Sequence, residues 1–514
     1  MKTPTFKLSI IATVAILAAC GGGGGTSDPA APAAVVPTPV PSVAPTTEPA
    51  LDVAIAILAK ADALRATAIP ATGAANFALL DGCFLRNGFS KTFAVADFDT
   101  DPLAIASRQF EVGATRGNIR VLAERTTANA DGTSRREIDI KFDVTYKDGT
   151  KFVATADAEP TDTIISGSSS GAKSPDGSNC ATSESKADWR FYGNRKIINA
   201  NVVAYNERYQ RTVLATGLPV TPADIDYSKY IRFNVTDAAN VAKYVTIAGP
   251  GIVGGTPSAP ITLKMVSVRL LRDAPEFVGK NGNFVDWKDT DPWRVCRNNT
   301  GGYASAETAD CVTHGATSNN WGSFNATVPA TLDARFDALG VVAGGEYTVK
   351  VYNDDGWKTI NGQVNSTPIA TYTIKLENLP FSAVALAGAS FATDLYPRLL
   401  TSSMNSSAIA TAIRAKAAFS TDLTWTAAGA MPDGKALGWG NLYSFKQGRV
   451  NPAQTAFNPA SRQFEPTYPA ANVTAATLAV PAAVANLGLP TYSELGLSIN
   501  NRNGNVVQSL YSFQ

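Results

Sequence analysis

The sequence predicts a mainly β, multidomain chain: an α+β unit over residues 51–215, then two antiparallel β-sandwiches over 225–379 and 380–514. Three observations carry this. Ile138, Ile140, Phe142 and Val144 alternate with Asp139, Lys141 and Asp143, which places an apolar set on one face of a strand and a charged set on the other. Lys147-Asp148-Gly149-Thr150 then stands between two strand-like runs, and an Asp-Gly pair there is a strong hairpin signal. From Ile225 onward, short apolar runs recur between Gly, Pro and Asn clusters, the spacing of a sandwich.

The chain opens with Lys2 and Lys7, an apolar run from Leu8 to Leu17 broken only by Ser9 and Thr13, and small residues after it. This is the layout of an export signal, too short for a permanent span. Its last residues, Leu17-Ala18-Ala19-Cys20, resemble the lipobox of bacterial lipoproteins. The resemblance implies a signal peptide over 1–19, acylation of Cys20 and attachment to a membrane, which two acyl chains suffice to maintain. An Asp after the cysteine favours the inner membrane in many Gram-negative bacteria. Gly21 stands there instead, which implies the outer membrane. Residues 20–50 follow as a tether: five glycines, then seven prolines among Ala, Val, Ser and Thr, with too little apolar bulk for a core.

The chain has 44 Lys+Arg against 43 Asp+Glu. Loss of Lys2 and Lys7 with the signal leaves 42 against 43, a net charge of −1 and no electrostatic footprint for nucleic acid. Assigning Cys20 to lipid leaves Cys83, Cys180, Cys296 and Cys311, an even number that reads as two disulfides in an oxidising compartment. Cys296 and Cys311 share one Gly/Asn-rich segment and are paired here, leaving Cys83 with Cys180. Zinc is the alternative, but there is no C-x-x-C and only one histidine.

Residues 51–66 place Leu51, Ala54, Ile55, Leu58, Ala61 and Leu64 at helical spacing, and 74–86 continue apolar and are read as helix towards Cys83. Ile119–Arg125, Ile138–Tyr146 and Phe152–Ala156 read as strands, joined by Asn129-Ala130-Asp131-Gly132 and by the Asp-Gly turn. Residues 166–186 form a Ser/Gly-rich loop, and Trp189–Tyr205 a strand pair turning at Gly193-Asn194. Helices followed by an antiparallel meander resemble the NTF2-like fold, which implies a pocket between helices and sheet. The segment has no histidine, so a binding or structural version is expected rather than a catalytic one.

In the next unit the best strands are Tyr230–Val235, Val241–Ile247, Ile261–Leu271, Gly345–Tyr352 and Ile369–Leu376. The passage from Leu339 to Tyr352 resembles a hairpin of extracellular Ig-like or fibronectin-like modules, which implies a sandwich and fixes no ligand. After Leu379-Pro380, Leu423–Thr426, Leu437–Phe445, Glu494–Asn500 and Val506–Phe513 read as strands, and Ala408–Ala418 is helix or strand.

Residues 280–321 are the densest polar and aromatic stretch. Trp287, Trp293 and Trp321, with Trp357, offer flat faces suited to sugar rings; the bland reading is that they fill cores. Asp286, Asp289 and Asp291 offer oxygens suited to Ca²⁺, although the EF-hand glycine and glutamate are missing and a solvated acidic loop reads equally simply. His314, the only histidine, is a candidate ligand-binding residue in a stapled loop. Catalytic residues are not assigned, and the phosphate-loop pattern is absent. The expectation is a non-enzymatic envelope lipoprotein that binds or scaffolds. It needs no cofactor, meets the membrane through its N-terminal lipid and takes a glycan or an envelope protein as partner. The alternative is an anchored hydrolase or glycan-processing enzyme using carboxylates.

Overall fold

The computed structural model describes residues 48–101, 104–129, 132–147, 149, 151–154, 159–166, 180, 188–212, 225–252, 255–256, 259–260, 262–277, 289, 291–296, 316–358, 367–387, 398–399, 419–426, 442–448, 463–467, 475–480, 492–500 and 505–513. The lipobox, the tether as far as residue 47 and Ala408–Ala418 lie outside them. The described residues form a β-rich chain of several sheets in two compact units, the first running to Ile197 without Asp148–Phe152 and the second made of Asp148–Phe152 and the chain from Ile198. Among them, no helix is long and apolar enough to cross a membrane.

The first unit opens with α1 (Ala50–Leu64) and α2 (Gly73–Asn76), then short β1 (Leu85–Arg86) and β2 (Phe89–Ser90). Helices α3 (Lys91–Thr100) and α4 (Ala104–Ser107) follow. Its strands are β3 (Thr115–Ala128), β4 (Ser134–Thr145), β6 (Asp162–Ser166) and β7 (Trp189–Phe191), while β5 (Lys151–Phe152) groups with the second unit. Strands β3, β4, β6 and β7 lie side by side in that order, all antiparallel. Helix α1 covers the apolar face of this sheet: Val53, Ala54, Ile57, Leu58 and Ala61 pack on Ile138, Ile140, Phe142 and Ile164. The buried stripe is offset from the expected one, because Leu51 and Ile55 stay exposed. Helix was expected over 74–86, but α2 stops at Asn76. There the Arg65 guanidinium donates to the Asn76 carbonyl at 2.7 Å, and Asp81 bends the chain by accepting from the Cys83 amide at 2.8 Å. A disulfide joins Cys83 to Cys180, with Cα atoms 4.9 Å apart, beside buried Ile165 and Tyr192.

The second unit begins with long β8 (Asn199–Thr212) and β9 (Ile225–Thr236). It continues with β10 (Tyr244–Ala248), β11 (Gly255–Thr256), β12 (Ala259–Pro260), β13 (Leu263–Val266) and α5 (Val268–Asp273). Strand was expected through Leu271. It ends at Val266 because Ser267 caps α5, its hydroxyl accepting from the Leu270 amide at 3.2 Å. Next are β14 (Arg294–Cys296), β15 (Ala316–Ser318), β16 (Asn320–Ala326), α6 (Pro329–Asp337), β17 (Gly345–Tyr352), β18 (Ala370–Leu376) and α7 (Ala383–Leu386). The last strands are β19 (Arg398–Leu399), β20 (Phe419–Thr426), β21 (Leu442–Gly448), β22 (Gln463–Thr467), β23 (Ala475–Val480), β24 (Tyr492–Asn500) and β25 (Asn505–Phe513).

Two sheets dominate this unit. One has the order β15-β14-β13-β10-β17-β18 and the other β16-β9-β8-β25-β24-β21-β22. They meet where the Phe233 ring stands edge-on to Tyr347 at 5.3 Å, and where the Trp321 indole donates to the Gly251 carbonyl at 2.8 Å. The seven-stranded sheet corrects the expected boundaries at 215–225 and 379–380. Strand β25, from the end of the chain, pairs in parallel with β8 (Asn505 opposite Ala204 through Phe513 opposite Thr212), so residues before 215 and after 380 share one sheet. The physical reason is that β8 would otherwise present an open edge beside β9, and β25 closes it.

Candidate functional site

The strand pairing brings a polar network into the middle of the seven-stranded sheet. In register, Ser498 on β24 lies opposite Gln508 on β25, Gln508 beside Glu207 on β8, and Glu207 opposite Ser228 on β9. Tyr205 lies opposite Tyr230 one step along, and Arg232 opposite Asn320 on β16. Period-two alternation puts these side chains on one face, and all are buried.

The hydrogen bonds run continuously across five strands. The Ser498 hydroxyl donates to Gln508 Oε1 at 3.3 Å, and Gln508 Nε2 donates to Glu207 Oε2 at 2.5 Å. The Tyr230 hydroxyl donates to the same Oε2 at 3.1 Å, while Arg232 Nη2 donates to that hydroxyl at 2.9 Å. Arg232 Nε then donates to Asn320 Oδ1 at 2.8 Å. The guanidinium lies 4.1 Å from the centre of the Tyr205 ring, which stacks on Tyr230 at 5.1 Å. Carboxylate and guanidinium therefore do not touch; a phenol links them.

Burial raises the Glu207 carboxyl above the ordinary carboxylate range, and its bonds from Gln508 and Tyr230 with the nearby Arg232 charge offset this in part. Burial pushes Arg232 down, but Tyr205, Tyr230 and Glu207 outweigh it and hold the guanidinium above its ordinary value. Burial likewise lifts the Tyr230 phenol well above 10. The arrangement is suited to setting register. A fully connected polar ladder fixes which residues of β25 sit beside β8, because a slip of one residue would leave a charge unpaired in the sheet. It has no exposed reacting group.

The residues singled out in the sequence are placed as follows. Trp293 is 0% exposed, Trp321 1% and Trp357 2%, so they fill cores and form no sugar platform; Trp287 lies outside the described residues. Asp289 pairs with Arg272 Nη1 at 2.8 Å and accepts from the Asn240 side-chain amide at 3.2 Å. Asp291 faces Arg294, whose guanidinium burial pushes down to about 9 although Asp291 draws it up. Asp286 and His314 lie outside the described residues, and no group of three metal-ligating side chains occurs among those described. Cys296 is disulfide-bonded, and Cys311 lies outside the described residues. The Glu207 network escapes sequence reasoning because its members are scattered over residues 205–508. The one signal is the set of charged and amide side chains (Glu207, Arg232 and Gln508) within otherwise apolar strands.

No family model matches the chain, and no curated protein matches it. Among solved structures it is similar to a tetra-tandem repeat in the extending region of a large adhesion protein, at 10% identity, covering 76% of this chain and 65% of that one, with a TM-score of 0.14. A structure concerned with host cell surface retention of a bacterial ice-binding adhesin matches at 10% identity, covering 74% of this chain and 89% of that one, with a TM-score of 0.15. The chain thus spans just under two thirds of the first structure's length.

Proposed function

We propose that this protein is a membrane-tethered envelope lipoprotein whose folded part binds or scaffolds and performs no catalysis. The observation that carries the reading is Leu17-Ala18-Ala19-Cys20 at the close of a short apolar run. Two further features support it. The Gly/Pro-rich segment after Cys20 is a spacer of the right composition to stand a folded part off a membrane. The β-rich units bury their conspicuous tryptophans and their central carboxylate, which leaves Glu207 suited to structure and unsuited to substrate chemistry.

The finer architecture belongs to the same proposal. Helices followed by an antiparallel meander support an NTF2-like reading of the first unit, and the Phe233–Tyr347 contact between two large sheets supports an Ig-like sandwich in the second. The partner is a glycan or an envelope protein met at the outer membrane. Metabolic labelling with an alkyne palmitate in a Gram-negative host tests the reading: label on the full chain that disappears in Cys20→Ala supports it. A wild-type chain that takes up no label rules it out.

A further inference from the structure

Among the described residues of the second unit, one buried cation has no counter-charge. Arg208 lies on β8, on the face opposite Glu207, and is 5% exposed. Its Nε and Nη1 are shut off from solvent and have no hydrogen-bond partner, and no ion pair reaches it among the described residues. Beside it on β25, in parallel register, stands Ser509, 0% exposed, whose hydroxyl also has no partner. Both side chains project from the same face, on strands about 4.8 Å apart. Opposite Arg208 on the other side is Tyr227 of β9.

The neighbouring charges are already committed. Lys229, next along β9 on this face, is bound to Asp333 at 3.0 Å, and Asp333 also accepts the Ser382 hydroxyl at 2.7 Å and the Ala383 amide at 2.8 Å. Asn206 donates to the Phe381 carbonyl at 3.0 Å. A guanidinium taken out of water without a counter-charge is strongly disfavoured, which proteins rarely tolerate. A planar fork of N–H donors beside a hydroxyl donor is the recognised geometry for two oxygens of one anion.

We infer that Arg208 and Ser509 form a binding site for a small oxyanion of the carboxylate or phosphate type. Arg208 supplies charge and paired donors, and Ser509 supplies a third hydrogen bond. Occupancy would fasten β25 to β8 on the face opposite the Glu207 ladder. It is a binding property separate from the lipoprotein reading.

The test measures thermal unfolding of the soluble chain from residue 21 onward, at fixed ionic strength and pH 7, in chloride, acetate, phosphate and sulfate. At saturating concentrations one or more of the oxyanions should raise the melting temperature over chloride by roughly 5 °C. Arg208→Met should abolish that rise while melting higher than the wild type in chloride, because it removes the uncompensated charge. Ser509→Ala, a mild change that preserves folding, should reduce the rise to about half. Acetate acting alone would identify a carboxylate ligand; phosphate or sulfate acting alone, a tetrahedral one. Equal melting of the wild type in all four salts, or a rise retained in both variants, overturns the proposal.

Discussion

Glu207 illustrates how one residue can hold distant parts of the chain together. Its Oε2 accepts from Gln508 at 2.5 Å and from Tyr230 at 3.1 Å, partners 301 and 23 residues away. Glu207→Ala leaves Arg232 without a counter-charge inside the sheet and should lower stability by about 3 kcal/mol, read as a shift in the denaturant midpoint. An unchanged midpoint would show that the network carries no energy. Asp237 gives a second test. It is buried, its carboxylate accepts from the Ala239 and Ala242 amides, and burial raises it from 3.8 to about 6. The folded state therefore holds this proton more tightly than the unfolded state. Its contribution favours folding below about pH 4 and is lost as pH rises through 6. Asp237→Asn removes this slope, so the stability difference between wild type and variant should change by up to about 3 kcal/mol between pH 4 and 6.5. A constant difference would contradict the assignment.

At the scale of elements, local pattern is legible wherever the physics is local. Strand β17 has the bounds expected from its alternation, and its burial alternates in step. Strand β4 covers the expected alternating run, and Gly132 takes φ +80° in the turn before it. The buried stripe on α1 differs from the expected one because Leu51 and Ile55 fit helical spacing as well as Val53 and Ile57 do; only the sheet beneath decides which set is covered. Helices α3 and α6 are not legible, since Lys91–Thr100 and Pro329–Asp337 carry short, weak apolar periodicity. Least legible is β25, whose parallel pairing sets Asn505 beside Ala204, at the far end of the second unit. Gly193 marks an element boundary that the sequence does signal. It takes φ +87°, and an added Cβ would run into the Leu85 carbonyl. Gly193→Ala should therefore cost about 2 kcal/mol or more in thermal or chemical unfolding. Full stability in that variant would mean the β1–β7 approach is looser than described.

At the scale of the whole molecule, the described residues form two folded units of different construction. In the first, one helix covers an antiparallel sheet and a disulfide closes a span of 97 residues from Cys83 to Cys180. The cysteine count leads to that bond once Cys20 is set aside for lipid. In the second, the chain's last strand returns to its first, so the three-domain division read from local strand spacing gives way to one unit from Ile198 onward. Long-range closure of this kind leaves no local mark, which is why sandwich-like spacing is readable and the boundary is not. The tryptophans of the 280–321 region follow the same logic: an aromatic next to Asn and Asp can face a sugar or a core, and burial alone separates the two.

The central claim is attachment through Cys20, and the most direct measurement is fractionation of cells expressing the full chain and its Cys20→Ala variant. Wild-type protein should appear in the outer-membrane fraction, resistant to high salt and released only by detergent, with the variant in the soluble fraction or held as unprocessed precursor. Wild-type protein that is soluble after lysis, or a variant that fractionates with membranes as processed protein just as the wild type does, would contradict it.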